Sequence, residues 1–184
     1  SREAIICEGQ IDVIRCHSAG FRTAVASQGT AFTEDHVRLL RRYADSVVLV
    51  FDADKAGQDA AVRSAATFME AGLAVRVAAL PPDEDPDSFI RNRGREAFQK
   101  VLDLASSAVV FQIDVLASRE NLKGEVGLMR AAKAVLDTIR RSPNAVQRAK
   151  LVQEESERLG IPASALQDDL RHTLRQQERS ASYS

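Results

Sequence analysis

Three short acidic stretches are the residues of this sequence best able to do chemistry: Glu8-Gly9 with Asp12 beyond it, Asp52-Ala53-Asp54, and Asp85-Pro86-Asp87. Carboxylates crowded into one place repel one another and resist ionising together, so a fold keeps such a cluster when protons or cations neutralise it. The expected neutraliser is Mg2+ or Mn2+, as two or more ions, because hard divalent cations take oxygen ligands and complete their shells with water and substrate phosphate. Two such ions about 3.5–4 Å apart activate a hydroxyl and steady a leaving pyrophosphate in an in-line displacement. That is phosphoryl or nucleotidyl transfer. No Ser or Cys stands with His and Asp in a nucleophile context, which weighs against covalent hydrolysis. Cys7 and Cys16 are the only cysteines and match no zinc spacing, so no zinc is expected and both read as small buried hydrophobes.

The elements that must position these carboxylates follow from hydrophobic period. Short β-branched runs at Ala4–Cys7, Thr23–Ala26, Val47–Phe51 and Ala74–Leu80 alternate with helical patterns at Ile11–Ala19, Thr33–Tyr43 and Gly57–Ala71. This alternation specifies βαβ units and a mainly parallel sheet. Gly20 and Gly72 follow helices where a left-handed C-cap belongs, and Thr33 with Glu34 and Asp35 forms a helix start. All three acidic stretches then lie at strand ends, where open α/β sheets bind ligands. Alternation along an extended segment sends Asp52 and Asp54 to one side and Ala53 to the other. From Arg95 onward the apolar spacing is helical. Ser142-Pro143 reads as a cap plus first helical residue, and Gly160-Ile161-Pro162 as a stop. The expected organisation is an α/β core over 1–103, a helical subdomain over 104–178 and a polar tail over 179–184.

Taken in order, Glu8-Gly-Gln-Ile-Asp12-Val, Ala26-Ser-Gln-Gly-Thr30, Val50-Phe-Asp-Ala-Asp-Lys-Ala-Gly57 and Asp85-Pro-Asp-Ser-Phe89 resemble the Toprim core of bacterial DnaG-type primases. Glu157-Arg-Leu-Gly-Ile-Pro162 and Leu166 are similar to the end of that family's polymerase domain, so the resemblance covers nearly the whole chain. It implies a Toprim-type sheet flanked by helices, followed by an all-helical C-terminal subdomain. It also implies an enzyme that joins ribonucleoside triphosphates into RNA primers on single-stranded DNA. In that reading Glu8 is a general acid/base or metal-linked carboxylate, and Asp52 and Asp54 are the principal metal ligands. Asp12, Gly29, Thr30, Lys55, Asp85 and Asp87 form the supporting acidic and nucleotide site. The family's replicative helicase and single-strand-binding protein are the implied partners of the full-length protein. Its zinc-binding domain, basic first half of the polymerase domain and helicase-binding domain are expected outside this chain. Gln10, Gln28 and Ala53 depart from the family's usual residues without removing a carboxylate.

Blander uses compete at single positions. Asp is a common capping and turn residue, Asp85-Pro-Asp-Ser is a good cap sequence, and Lys55 can pair with a neighbouring carboxylate as well as with a phosphate. His17, His36 and His172 lack partners at ligand spacing. Arg140, Arg141, Arg148 and Lys150 form a charge run of the kind that usually marks a solvated face. Other readings of the whole chain are a Toprim nuclease, a receiver-like signalling module and a noncatalytic metal- or nucleic-acid-binding scaffold. No apolar run spans a membrane and no signal peptide is visible, so a cytoplasmic protein at the replication fork is expected, and the abrupt strand-like start suggests a piece of a longer chain. The 184 residues carry a formal net charge of -1, with 13 Lys and Arg against 17 Asp and Glu over residues 1–118 and 12 against 9 over 119–184. No global basic field gathers DNA indiscriminately. Incubated with single-stranded template, ribonucleotides and magnesium, this chain by itself should yield no more oligonucleotide than a metal-free control. Robust synthesis would place the template groove within these residues.

Overall fold

Strands form where apolar β-branched residues run without interruption, because a parallel sheet is covered on both faces and has no wet side to alternate with. In the computed structural model, which describes residues 2–27 and 31–181 with side chains to 177, β1 (Glu3–Cys7) and β3 (Ser46–Val50) each bury all but their first residue. They are joined in a five-stranded sheet by β2 (Ala24–Ala26), β4 (Ala74–Val77) and β5 (Ser106–Ser107), in the order β2-β1-β3-β4-β5. The first four strands are parallel, and β5 runs antiparallel to β4. From β1 the chain steps to one side for β2 and returns across it for β3, so the topological switch lies between β1 and β3.

The connecting helices are α1 (Gln10–Ser18), α2 (Glu34–Leu40), α3 (Lys55–Glu70) and α4 (Pro86–Asp103). Ile5, Cys7, Val48 and Val50 pack on one face of the sheet with Cys16, Phe21, Phe89 and Phe98 from the α1 and α4 side. Phe21 and Phe98 meet edge to face with centroids 5.1 Å apart. Alternation directs Ile6, Val47 and Leu49, all fully buried, to the other face. Cys7 and Cys16 are buried free thiols; a hydrogen bond to Cys16, then burial, pushes the Cys7 thiol far above its ordinary range.

Several local expectations hold: Gly20 and Gly72 take φ of 92° and 82°, and the Thr33 side chain accepts from His36 N–H. Others do not. The fourth strand stops at Val77 rather than Leu80, where its parallel ladder with β3 ends, and its Arg76 and Val77 also pair with the unforeseen Ser106–Ser107. Helix α4 is interrupted at Gly94, whose φ of 80° and ψ of 176° are not helical.

Two compact units divide the chain, Ser1–Ala108 and Val109–Ser184. The second contains α5 (Ala108–Arg119), α6 (Glu125–Ile139), α7 (Ala145–Leu159) and α8 (Ala163–Ala181), and α7 packs against both α6 and α8. The expected Ser142-Pro143 start is corrected: Asn144 caps α7, its side-chain oxygen accepting from Val146 and Gln147 N–H. Ser142 is instead buried, donating to Gln147 Oε1 at 2.8 Å. Gly160 ends α7 with φ 69° as expected. Among the described residues no helix is long and apolar enough to cross a membrane.

Glu155 sits in the apolar centre of this helical unit at 0% exposure, and neither carboxylate oxygen has a hydrogen-bond partner among the described residues. Burial pushes its carboxyl up to about 8 from an ordinary 4.5. A folded state that holds this proton where the unfolded chain releases it loses stability as pH rises. The loss begins near 4.5, continues at about 1.4 kcal/mol per pH unit and is complete above about 8. Urea unfolding followed by circular dichroism should therefore show the helical unit weaker at pH 8 than at pH 5.5, and Glu155→Leu should abolish the difference while raising stability at pH 8. Equal pH responses in the two proteins would count against a proton held at Glu155.

Candidate catalytic site

Register brings the acidic stretches together. Cys7 pairs with Ala26 on one side and Val50 on the other, so β1, β2 and β3 end level and Glu8, Ser27 and Asp52 leave the sheet at one edge. There the Asp52 N–H donates to Glu8 Oε1 at 3.0 Å, tying together the strand ends that flank the switch point. Asp12, in the first turn of α1, accepts from Gly9 N–H and from Asp87 N–H, both at 3.2 Å. The starts of α1 and α4 are thereby joined. Asp54 caps α3 by accepting from Gly57 N–H at 2.7 Å, and Asp85 caps α4 by accepting from Ser88 N–H at 2.6 Å.

These carboxylates act on one another. Burial raises Glu8, and the charges of Asp52, Asp54 and Asp12 add to the rise while the Asp52 N–H opposes it. Asp12 and Asp52 are likewise raised, first by burial, with Asp85 acting on both. Asp85 is lowered instead, chiefly by the Ser88 N–H. A cavity of about 340 Å³ is lined by Asp52, Ala53 and Asp54 on one side and by Asp83, Glu84 and Asp85 on the other. Glu8 lines a different cavity of about 430 Å³, against α3.

Ala53 lines the same cavity as the two aspartates. Strand β3 ends at Val50, so 52–54 is a capping turn in which strict alternation lapses. Asp87 is brought beside Asp12 through its backbone, while its carboxylate pairs with Arg15 at 2.7 Å and Arg91 at 3.3 Å. Lys55 is exposed at the first position of α3. Gly29 and Thr30 lie outside the described residues. In the helical unit Arg140 pairs with Asp137, Lys150 with Glu154, and Arg148 donates to the Ser142 carbonyl, as a solvated face would have it. His17 Nε2 lies 2.9 Å from the Ala24 carbonyl and His172 Nε2 2.8 Å from the Gln176 amide, with no metal-ligand partner at either among the described residues.

All donors lining the smaller cavity are hard oxygens, which suits magnesium or manganese. Among the described residues no three His, Cys, Asp or Glu come close enough to share one ion. The arrangement therefore fits an ion held by one or two carboxylates, with water and substrate phosphate completing its shell, as magnesium prefers. Asp52 and Asp54 are the residues that would hold it.

Reasoning from acidic motifs passes over Gly57, although its place in Asp-Lys-Ala-Gly after the Asp pair is the visible signal. A Cβ there would stand 2.3 Å from the Asp52 carbonyl oxygen and 2.9 Å from Glu8 Oε1. Only glycine lets α3 start this close to the two strand ends.

Residues 5–90 match a family model described as Toprim-like, and residues 109–164 match one described as the DnaB-helicase binding domain of primase. The second match overturns the expectation that a helicase-binding segment lies wholly outside this chain. A DNA primase of Clostridium acetobutylicum is 35% identical over 164 residues, covering 89% of this chain and 27% of the relative. That of Escherichia coli K12 is 36% identical over 160 residues, covering 85% and 28%. The chain thus spans little more than a quarter of these relatives. Among solved structures, a DNA primase domain from Pseudomonas aeruginosa superposes with a TM-score of 0.78 at 30% identity, covering 94% of this chain and 55% of that one. A DnaG primase catalytic domain bound to single-stranded DNA gives 0.77 at 32%, covering 90% and 53%.

Gly57→Ala should lower unfolding free energy in urea by at least about 2 kcal/mol, since rigid backbone must move to admit one methyl. Gly124→Ala, whose Cβ would meet nothing nearer than 3.7 Å, should cost under about 1 kcal/mol. Comparable losses in the two would mean that close packing at Gly57 is not what holds Glu8 and Asp52 in register.

Proposed function

The chain belongs to the Toprim-containing catalytic region of bacterial DnaG-type primases, and from that premise we propose that it carries the metal-dependent nucleotidyl-transfer centre of a primase, which builds short RNA primers on single-stranded DNA. The observation that carries this reading is the level ending of β1 and β3, with the Asp52 N–H on Glu8 and the Asp52-Asp54 pair facing a cavity lined by acidic side chains. Asp52 and Asp54 hold magnesium or manganese, which when bound neutralises triphosphate oxygens and the leaving pyrophosphate. Glu8 accepts the proton of the attacking 3′-hydroxyl as the new O–P bond forms and the bond to pyrophosphate breaks. Its burial and charged neighbours, which raise its proton affinity, suit that task.

Asp12, Asp85 and Asp87 serve this centre from behind. Asp12 fixes the starts of α1 and α4, Asp85 caps α4 beside the acidic cavity, and Arg15 and Arg91 neutralise Asp87, so we assign Asp87 to positioning rather than to direct metal contact. Lys55, Gly29 and Thr30 are assigned to nucleotide phosphate on the strength of the motifs that carry the family resemblance. Ribonucleoside triphosphates and single-stranded DNA are the substrates of the whole enzyme. Replicative helicase and single-strand-binding protein are its partners at the cytoplasmic replication fork, with residues 109–164 serving the helicase.

Asp54→Asn separates charge from shape, because Asn caps helices as well as Asp does. Calorimetric titration with manganese should show binding weakened about tenfold or more, a loss of about 1.4 kcal/mol, with the fold intact. Asp35→Asn, on the exposed face of α2, should bind as the parent does. Full-length enzyme carrying Asp54→Asn should make no primer. Undiminished manganese affinity in that variant would show Asp54 to be a helix cap and nothing more.

A further inference from the structure

Glu8 and the aspartate pair open onto different spaces, and the cavity on the Glu8 side has no role in the chemistry so far. It measures about 430 Å³ and lies between the ends of β1 and β3, Ser27, Ala31 and Phe32, and one face of α3. Ala60, Arg63, Ser64 and Thr67 recur at three- and four-residue steps, so they form one stripe of that helix. Opposite them stand Phe32 and Phe51. Phe32 is fixed by ring contacts to Phe68 at 5.1 Å and to His36 at 6.2 Å, and Phe51 is buried. The walls are therefore of three kinds: aromatic, cationic with hydroxyls, and the Glu8 carboxylate. Arg63 makes no ion pair or side-chain hydrogen bond among the described residues, which is unusual for a guanidinium one cavity away from an acidic cluster.

We infer that this cavity is a subsite for a nucleoside 5′-phosphate unit, with the base against Phe32 and Phe51, the phosphate on Arg63 and a ribose hydroxyl toward Glu8. The volume lies in the range of small-molecule pockets that combine apolar walls with a few polar anchors. A planar guanidinium matches phosphate oxygens in pairs, and an aromatic wall takes the flat face of any base without choosing among them. A carboxylate cannot share this space with an anion, but it can accept a hydrogen bond from a sugar hydroxyl. The aspartates then hold metal and triphosphate on one side of Glu8 while the nucleotide that supplies the attacking hydroxyl sits on the other. This assignment rests on the nucleotidyl-transfer reading and adds to it the place of one substrate. Two sources share the chemistry, a free nucleotide and the 3′-terminal residue of an oligonucleotide.

The test is a titration of the isotope-labelled chain, without divalent ions, with guanosine 5′-monophosphate and separately with the dinucleotide GpG, followed by amide chemical shifts. Saturable shifts at Ala60, Ser64 and Thr67 are expected. Arg63→Gln should weaken guanosine monophosphate binding at least tenfold, Arg63→Lys should fall between, since it keeps charge and loses the fork, and Asp35→Asn, on the exposed face of α2, should bind as the parent does. Tighter binding of GpG assigns the subsite to a chain end, and equal or weaker binding to a free nucleotide. Absence of saturable shifts at about 10 mM ligand, or equal affinity in Arg63→Gln with its circular dichroism unchanged, overturns the inference. Manganese titration of the parent is run in parallel. Metal binding without nucleotide shifts sinks the subsite and leaves the metal centre standing, whereas nucleotide shifts without metal binding sink the metal centre and keep the subsite.

Discussion

Backbone N–H groups holding carboxylates are the interaction on which the acidic edge depends. Glu8 takes the N–H of Asp52, Asp12 those of Gly9 and Asp87, Asp54 that of Gly57 and Asp85 that of Ser88. Four of these five donors lie at the starts of α1, α3 and α4, where unsatisfied amides and the helix dipole give partial positive charge. Carboxylates that would otherwise drive one another apart are thus held by fixed dipoles. Among the described residues the Asp52 side chain accepts no such bond, and burial and its neighbours push it up. It is the position where an external cation has most charge left to neutralise.

Much of this was legible because it is local. Uninterrupted apolar runs announce β1 and β3, Gly20 and Gly72 announce helix ends, and Glu-Gly and Asp-x-Asp mark the residues that leave the sheet edge. Proximity of Glu8 to Asp52 follows from parallel pairing of two buried strands, which the pattern implies. The illegible parts are decided by distant partners. Arg15 and Asp87, 72 positions apart, pair because α1 and α4 pack on one sheet face, and no spacing rule announces it. Ser106–Ser107 has neither length nor β-branched residues and becomes a strand because β4 offers an edge. Ser142 has the right type for a cap, yet Asn144 supplies an oxygen that two amides can reach, and Ser142 is drawn into the interior.

The helical unit obeys a different constraint. Its helices bury small and aliphatic faces, Ala131, Ala132, Val135 and Ile139 in α6 and Leu151 and Val152 in α7, a pattern plain in the sequence. Glu155 breaks it. A carboxylic acid kept without a partner at such a place costs stability that an aliphatic side chain would not, and periodicity alone gives no reason for it. The acidic edge and Glu155 show two answers to one problem: carboxyl groups near apolar surroundings are held by oriented amides in one unit and by retention of a proton in the other.

The paired thiols beneath Glu8 have a practical consequence for anyone who wishes to watch this protein in solution. Cys7 and Cys16 are the whole cysteine complement of the chain, both buried, with the Cys7 proton held tightly by its neighbour and by burial. Alkylating reagents need an accessible thiolate; both thiols are buried, and that of Cys7 is held far above its ordinary range. The native chain is therefore nearly silent to maleimide dyes and spin labels while folded. A cysteine introduced on an exposed helix would be the single reactive handle, so distances between the two units could be measured without first stripping the natural cysteines from beneath the acidic edge.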